Sequence, residues 1–182
     1  MEKINAQSLA ISGVAGSAGS TEQLSATGVY TATCYDANGN VKWTDTYKNL
    51  VTTGGKNDLL DKYLAGSTYT AAWYLGLVDG GTTPTYNAAD TSASHAGWTE
   101  SVVYSNSTRP TPSWGSASAG SKATTATAFN INGTGTIAGT FLISNSTKSG
   151  TTGILYSAGS FTGGNKSVAS GDTLNVTYTA SV

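Results

Sequence analysis

The sequence predicts a mainly β protein: a single β-sandwich, jelly-roll-like or immunoglobulin-like, with one short α-helix and an extended N-terminal arm. Three observations carry that expectation. Charged residues make up only 10% of 182 positions, against about 25% in a typical soluble domain, so the Glu, Lys and Arg that clothe long helices are scarce. Ten Tyr, four Trp and three Phe separate the chain from disordered sequences, which carry few aromatics. Thr, Tyr and Val suit pleated, half-buried surfaces, and 23 Gly together with many Asn supply tight turns.

The predicted organisation is an arm over residues 1–27 and a sandwich over 28–182, with a helix at about 53–65 and a loop-rich segment at about 79–123. The arm contains Ile11-Ser12-Gly13-Val14-Ala15-Gly16-Ser17-Ala18-Gly19-Ser20. Side chains this small bury little area per ordered residue, so the segment is not expected to fold alone. It is a tail or an arm that orders against a neighbouring subunit, with Ile11 and Val14 as candidate contact residues.

The strongest local signal follows. Val29-Tyr30-Thr31-Ala32-Thr33-Cys34-Tyr35 and Val41-Lys42-Trp43-Thr44-Asp45-Thr46-Tyr47 alternate on either side of Asp36-Ala37-Asn38-Gly39-Asn40, the pattern of a hairpin closed by an Asn-Gly turn. Val41, Trp43 and Asp45 are expected on one face, with Lys42, Thr44 and Thr46 on the other. Local pattern leaves open which face is core. Thr52 or Thr53 then caps a helix whose Leu59, Leu60, Tyr63 and Leu64 form an apolar stripe opposite Lys56, Asp58, Asp61 and Lys62, and Gly66 ends it. Such a helix is expected to lay its stripe on an end or edge of the sandwich.

Ala71 to Val78 reads as a buried strand ending at Asp79-Gly80-Gly81, and Glu100 to Ser105 as a further strand. All three prolines, Pro84, Pro110 and Pro112, fall in the loop-rich segment between Asp79 and about residue 123. Beyond it come Ala126–Ile131, then Thr136–Ser144 with Ile137, Gly139, Phe141 and Ile143 on one side. Ile154–Tyr156, Ser160–Thr162 and a strand carrying Leu174, Val176 and Tyr178 complete the series. Short strands with frequent turns indicate a sandwich or barrel, and the lack of a strict period argues against a solenoid.

Composition also bears on function. The net charge is −1 and the nine basic residues are scattered, whereas nucleic-acid binding draws on a concentrated basic face. No apolar run approaches the roughly 20 residues that span a bilayer, and Met1-Glu2-Lys3-Ile4-Asn5 lacks the order of a secretory signal. Neither nucleic acid nor membrane is expected as a partner. A lone Cys34 excludes an intrachain disulfide and suits synthesis in a reducing cytosol.

Candidate chemistry is sparse. His95, the single histidine, could act as a base with a serine nucleophile and Asp79 or Asp90 as orienter, but no Gly-x-Ser-x-Gly elbow presents such a serine. A hydrogen-bonding loop histidine is the expected reading. One His and one Cys cannot supply a structural zinc set. Asp36–Asn40 opens like a calcium loop, yet the sixth and twelfth positions are Val41 and Tyr47 where Gly and Glu are needed. Gly133-x-Gly135 has neither dinucleotide spacing nor a following helix, and Gly55-Lys56 lacks the remainder of a phosphate loop. No catalytic residue, metal ligand or cofactor is expected. Trp43 and Trp73 lie in strand patterns and read as core. Trp98 and Trp114 lie in turn-rich stretches and are the candidates for an interface or a sugar-stacking platform.

These segments together resemble small virion proteins of tailed bacteriophages. The likeness rests on Tyr35–Trp43, Asn49–Thr53, Gly55–Leu60, Ser94–Glu100 and Gly171–Tyr178, and covers roughly residues 29–180. It implies a non-enzymatic decoration (cement) protein, made in the bacterial host cytoplasm and bound to the exterior of the capsid. The implied partners are the major capsid protein and further copies of the chain, as a homodimer or homotrimer. Other placements of the same kind of module are a tail, baseplate or head fibre. A carbohydrate-binding module for host attachment is the alternative of a different class.

Overall fold

The computed structural model describes residues 25–64, 66, 68 and 72–182. The predicted arm, with Ile11 and Val14, lies outside the described residues apart from its last three positions, and Thr27 already opens the first strand. Among the described residues the chain is mainly β, in two antiparallel sheets with one short helix. Strands β1 (Thr27–Tyr35) and β2 (Val41–Lys48) form the expected hairpin, and β3 (Leu50–Val51) precedes α1 (Thr53–Tyr63). Then come β4 (Tyr74–Asp79), β5 (Glu100–Ser101), β6 (Ser121–Ala123), β7 (Thr127–Asn130) and β8 (Gly135–Ile143). The chain continues through β9 (Leu155–Ser160), β10 (Lys166–Val168) and β11 (Thr173–Ser181).

The first sheet has the order β2-β1-β11, and β7 and β6 take successive stretches of the outer edge of β11. The second runs β3-β9-β8-β4-β5, with β10 continuing the line of β9 along β8. The chain passes from the first sheet to the second within one residue, Asn49, between β2 and β3.

Side-chain alternation in β1 settles the face left open by the sequence. Tyr30, Ala32 and Cys34 are wholly buried between the sheets, while Val29 points out, as a strand of period two requires. In β2, Trp43 and Asp45 share a face as the alternation predicts, and that face, with Tyr47, turns inward. Val41 does not. Cys34 is registered with Trp43 but Tyr35 with Val41, so Lys42 is an extra residue and the bulge leaves Val41 exposed. The turn is clamped by Asp36, whose Oδ1 accepts from the amides of Asn38 (2.9 Å) and Asn40 (2.8 Å), with Gly39 at φ 84°.

Two further expectations are corrected. Strand β8 does not keep Ile137, Gly139, Phe141 and Ile143 on one side. Val78 faces Gly139 while Asp79 faces Ile137, so Ala138 is an extra residue and the phase flips there. Ile137 and Leu142 fill the core between the sheets, and Phe141 and Ile143 fill a second cluster on the opposite face. That second cluster also holds Val78, Trp98, Ala138, Leu155 and Ala158, with Tyr74 and Tyr86 against it. The loop-rich segment roofs the outer face of the second sheet, which is why β8 is buried without interruption from Ile137 to Ile143. Of the strand expected over residues 100–105, only Glu100–Ser101 pairs, followed by an isolated bridge from Tyr104 to Ile131.

The helix is capped as expected: the Thr52 hydroxyl accepts from the Gly55 amide at 3.0 Å and donates to the Leu155 carbonyl. Most of its apolar stripe, however, faces water, with Leu59 half-buried. Gly55 and Asp58 are its buried residues, whereas Leu60, Tyr63 and Leu64 are 42%, 85% and 72% exposed. The reason is close approach. A Cβ on Gly55 would lie 2.6 Å from the Tyr156 carbonyl oxygen, so the helix can dock on β9 only through its glycine side, and the stripe is carried round to the outside.

Candidate functional site

Two hollows merit chemical reading. The first is an aromatic cleft of about 310 Å³ at one end of the sandwich interior. Its walls come from Trp73, ahead of β4, Trp114, ahead of β6, Tyr156 of β9 and Tyr178 of β11, with Leu59 of α1 and Leu142 of β8. The rings meet edge to face: Trp73 to Tyr156 at 5.4 Å, Trp114 to Tyr178 at 6.0 Å and Tyr156 to Tyr178 at 6.5 Å between centroids. Gly28 makes room for the Tyr178 ring, since a Cβ there would lie 2.2 Å from the phenol oxygen. Asn49 Nδ2 donates to that oxygen at 2.9 Å. Burial pushes the Tyr178 phenol well above its ordinary range, and the nearby Tyr156 adds to it, so the ring is a neutral wall and not a nucleophile. Lys62 and Lys122 also line the cleft, and Lys62 lies 3.6 Å from Asp58. The chemistry available here is reception of an apolar or ring-shaped group.

The second hollow, about 290 Å³, lies under the roof of the second sheet and contains His95. The His95 ring stacks on Trp98 at 4.0 Å between centroids, and its Nδ1 is 3.0 Å from the Trp98 carbonyl oxygen. Trp98 Nε1 donates to Asp90 at 3.1 Å. Asp90 also accepts from the Asn87 amide and Asp79 from the Gly81 amide, so the two orienters weighed for a triad are bound elsewhere. The nearby Ser92 hydroxyl donates to the carbonyls of Thr151 and Gly153, the latter at 2.7 Å. Ser92, His95 and Trp98 share the hollow but are arranged to fasten loops. Arg109 completes the pattern, forking Nε and Nη2 onto the two oxygens of Glu100 at 2.9 and 2.8 Å with both side chains buried.

Two further buried carboxylates, Asp45 and Asp172, are fasteners too. Burial raises the Asp45 carboxyl, but hydrogen bonds from the Thr162 hydroxyl and the amides of Thr162 and Gly163, with Lys166 beyond them, hold it below the usual range. Asp172 is likewise raised by burial and more than compensated by Lys42 at 2.5 Å and the Ala169 amide. The bulge in β2 is what delivers the Lys42 ammonium to it. Cys34, buried beside Asp172, has its thiol pushed up to about 11, first by burial and then by the Asp172 charge, so it is not a ready nucleophile. Among the described residues, no three of His, Cys, Asp and Glu gather as metal ligands.

Of the candidate contact residues, Trp98 is 4% exposed and packs on Phe141 at 5.1 Å, inside the second cluster. Its ring has no free face to stack on a sugar or a partner. Trp114 is half-buried at the cleft. Sequence reasoning assigned Trp73 to the core and missed Tyr156 and Tyr178 as cleft walls. No local signal marks them, because six separate segments make the cleft. No family model matches this chain, and no significant match is found among curated proteins.

Proposed function

We propose that this is a non-enzymatic structural protein of a tailed-bacteriophage virion, specifically a decoration protein that binds the outer surface of the major capsid shell and stabilises the head. The observation that carries the reading is the use of the buried ionisable groups. Asp45, Asp172, Glu100 and Arg109 are all bound to one another, to lysines or to the chain's own loops, which leaves none of them poised to transform a substrate. A protein that works by occupying surface stabilises an assembly by mass action, binding the assembled shell over its parts. Low charge density lets many copies crowd together without strong mutual repulsion, and copies are expected as symmetric dimers or trimers.

The test is to mix the purified protein with expanded, undecorated heads and sediment them. Saturable co-sedimentation, with density at symmetry positions in an electron-microscopic map, is the expected result. Density on the tail or baseplate, or no binding to heads, overturns the capsid assignment. A second reading, attachment to host carbohydrate, is favoured by one observation: Trp73 and Trp114 are both half-buried and line the cleft. A glycan-array hit lost on Trp114→Ala would select it.

A further inference from the structure

We infer that the aromatic cleft is a binding site for a flat aromatic monoanion, an arylcarboxylate whose ring lies among Trp73, Trp114, Tyr156 and Tyr178 and whose carboxylate meets Lys122. The cleft offers about 310 Å³, at the small end of ligand pockets, which run from roughly 300 to 1,000 Å³. That volume suits a single or fused ring and not an extended chain. The four rings of the wall run in sequence from Trp73 to Tyr156 to Tyr178 to Trp114, with successive planes at 69°, 76° and 84°. Such a wall presents ring faces and ring edges by turns, so an incoming aromatic ring can meet a face with its edge and an edge with its face.

Hydrogen-bonding groups are scarce on these walls. The Tyr178 phenol oxygen is already bonded to Asn49, and Leu59, Leu142 and Ala180 supply aliphatic surface. A polyhydroxylated ring would leave hydroxyls unpaired there. A bare aromatic ring carries none to leave, and its burial is favourable.

Charge fixes the other end of the ligand. Ala180 packs against the core and is registered with Lys122. Directly opposed residues share a face of the sheet, so Lys122 projects from β6 on the cleft side, which it lines. Among the described residues the ion pairs use Lys42, Lys62, Arg109 and Lys166, so the Lys122 ammonium has no carboxylate partner. On α1, by contrast, Lys62 is matched by Asp58 at 3.6 Å. Burial pushes the Tyr156 and Tyr178 phenols up, so both stay neutral and Asp58 is the one acidic group among the described residues of the lining. Two ammonium groups and one carboxylate leave a net charge of +1, which a monoanion neutralises. The site is a property of the free protein and is independent of the virion reading.

The test titrates the full chain with sodium 2-naphthoate and with its uncharged counterpart, 2-naphthalenemethanol, read by calorimetry. Naphthoate is expected to bind at one site, about two- to five-fold tighter than the alcohol, with the difference shrinking as salt is raised. Lys122→Gln should weaken naphthoate by that factor and leave the alcohol unchanged. Lys48→Gln, on the exposed outer face of the first sheet, should change neither. Trp114→Ala should weaken both several-fold, with an unchanged circular-dichroism spectrum. No saturable binding, equal affinity for the two probes, or an equal effect of Lys48→Gln and Lys122→Gln on naphthoate overturns the inference. So does tighter binding of uncharged maltotriose than of naphthoate, which gives the cleft to carbohydrate.

Discussion

Arg109 and Glu100 form a two-pronged ion pair shielded from water on both sides, with N–O distances of 2.9 and 2.8 Å. Arg109 also donates to the carbonyls of Asn145 and Gly150, and Glu100 accepts from the Ser149 amide. One interaction therefore locks β5 to the loop that follows β8. Removing one partner leaves the other as a buried, uncompensated charge. Glu100→Gln or Arg109→Met should each destabilise by about 3–5 kcal/mol, and the double replacement Glu100→Leu/Arg109→Met should recover most of that loss. Urea unfolding of the three variants provides the check. A double variant as unstable as the worse single one would show that the pair does not act as a unit.

Gly76 and Phe141 are matched across β4 and β8. A Cβ at Gly76 would fall 2.1 Å from the Phe141 ring. Gly76→Ala should cost about 1–3 kcal/mol through overpacking. In a Phe141→Ala background the same change should cost less than about 1 kcal/mol, because the colliding ring is gone. Additive losses in the double-mutant cycle would contradict the contact.

Asp45 and Asp172 both have carboxyls held below the usual range by their hydrogen-bond donors and lysines. Because the folded value lies below the unfolded one, near 3.9, their contribution is complete above that unfolded value and is lost as pH falls through the folded value. The urea midpoint should be level from neutral pH to about 5 and fall below about 4. Asp45→Asn should lower stability at neutral pH by about 1–3 kcal/mol and flatten the acid limb. Midpoints measured at intervals from neutral to strongly acid pH would reveal either effect.

His95 packs on Trp98 and is bonded to its carbonyl, which is a fastening role. His95→Ala should leave the fold and the proposed particle binding intact, with a loss of no more than about 1 kcal/mol and a changed Trp98 emission. Abolished function in a natively folded variant would restore the catalytic reading.

Much of this architecture is readable locally. The Asp36–Asn40 turn, the alternation of β1 and the Thr52 cap each depend on a few adjacent residues, and each is found. The failures are all places where tertiary contact overrides a local period. The β2 and β8 bulges shift phase by one residue because Lys42 and Ala138 are accommodated by partner strands. The stripe of α1 lies outside because only Gly55 fits against Tyr156. Trp98 looks like a loop residue in sequence and is core because a roof of turns covers the second sheet. The cleft has no sequence signature at all, since its walls are brought together by sheet pairing.

The pairing of β1 with β11 has a consequence for biosynthesis. Thr27 is registered with Ser181 and Tyr35 with Thr173, so the central strand of the first sheet lacks one neighbour until the last strand has left the ribosome. At about 5–20 residues per second of synthesis, the first hairpin waits roughly 7–30 seconds for its partner. Over that interval its Tyr30 and Cys34 side has only part of its cover. The paired strands β4, β8 and β9 are complete sooner, so the second sheet can assemble while closure of the first still waits for β11.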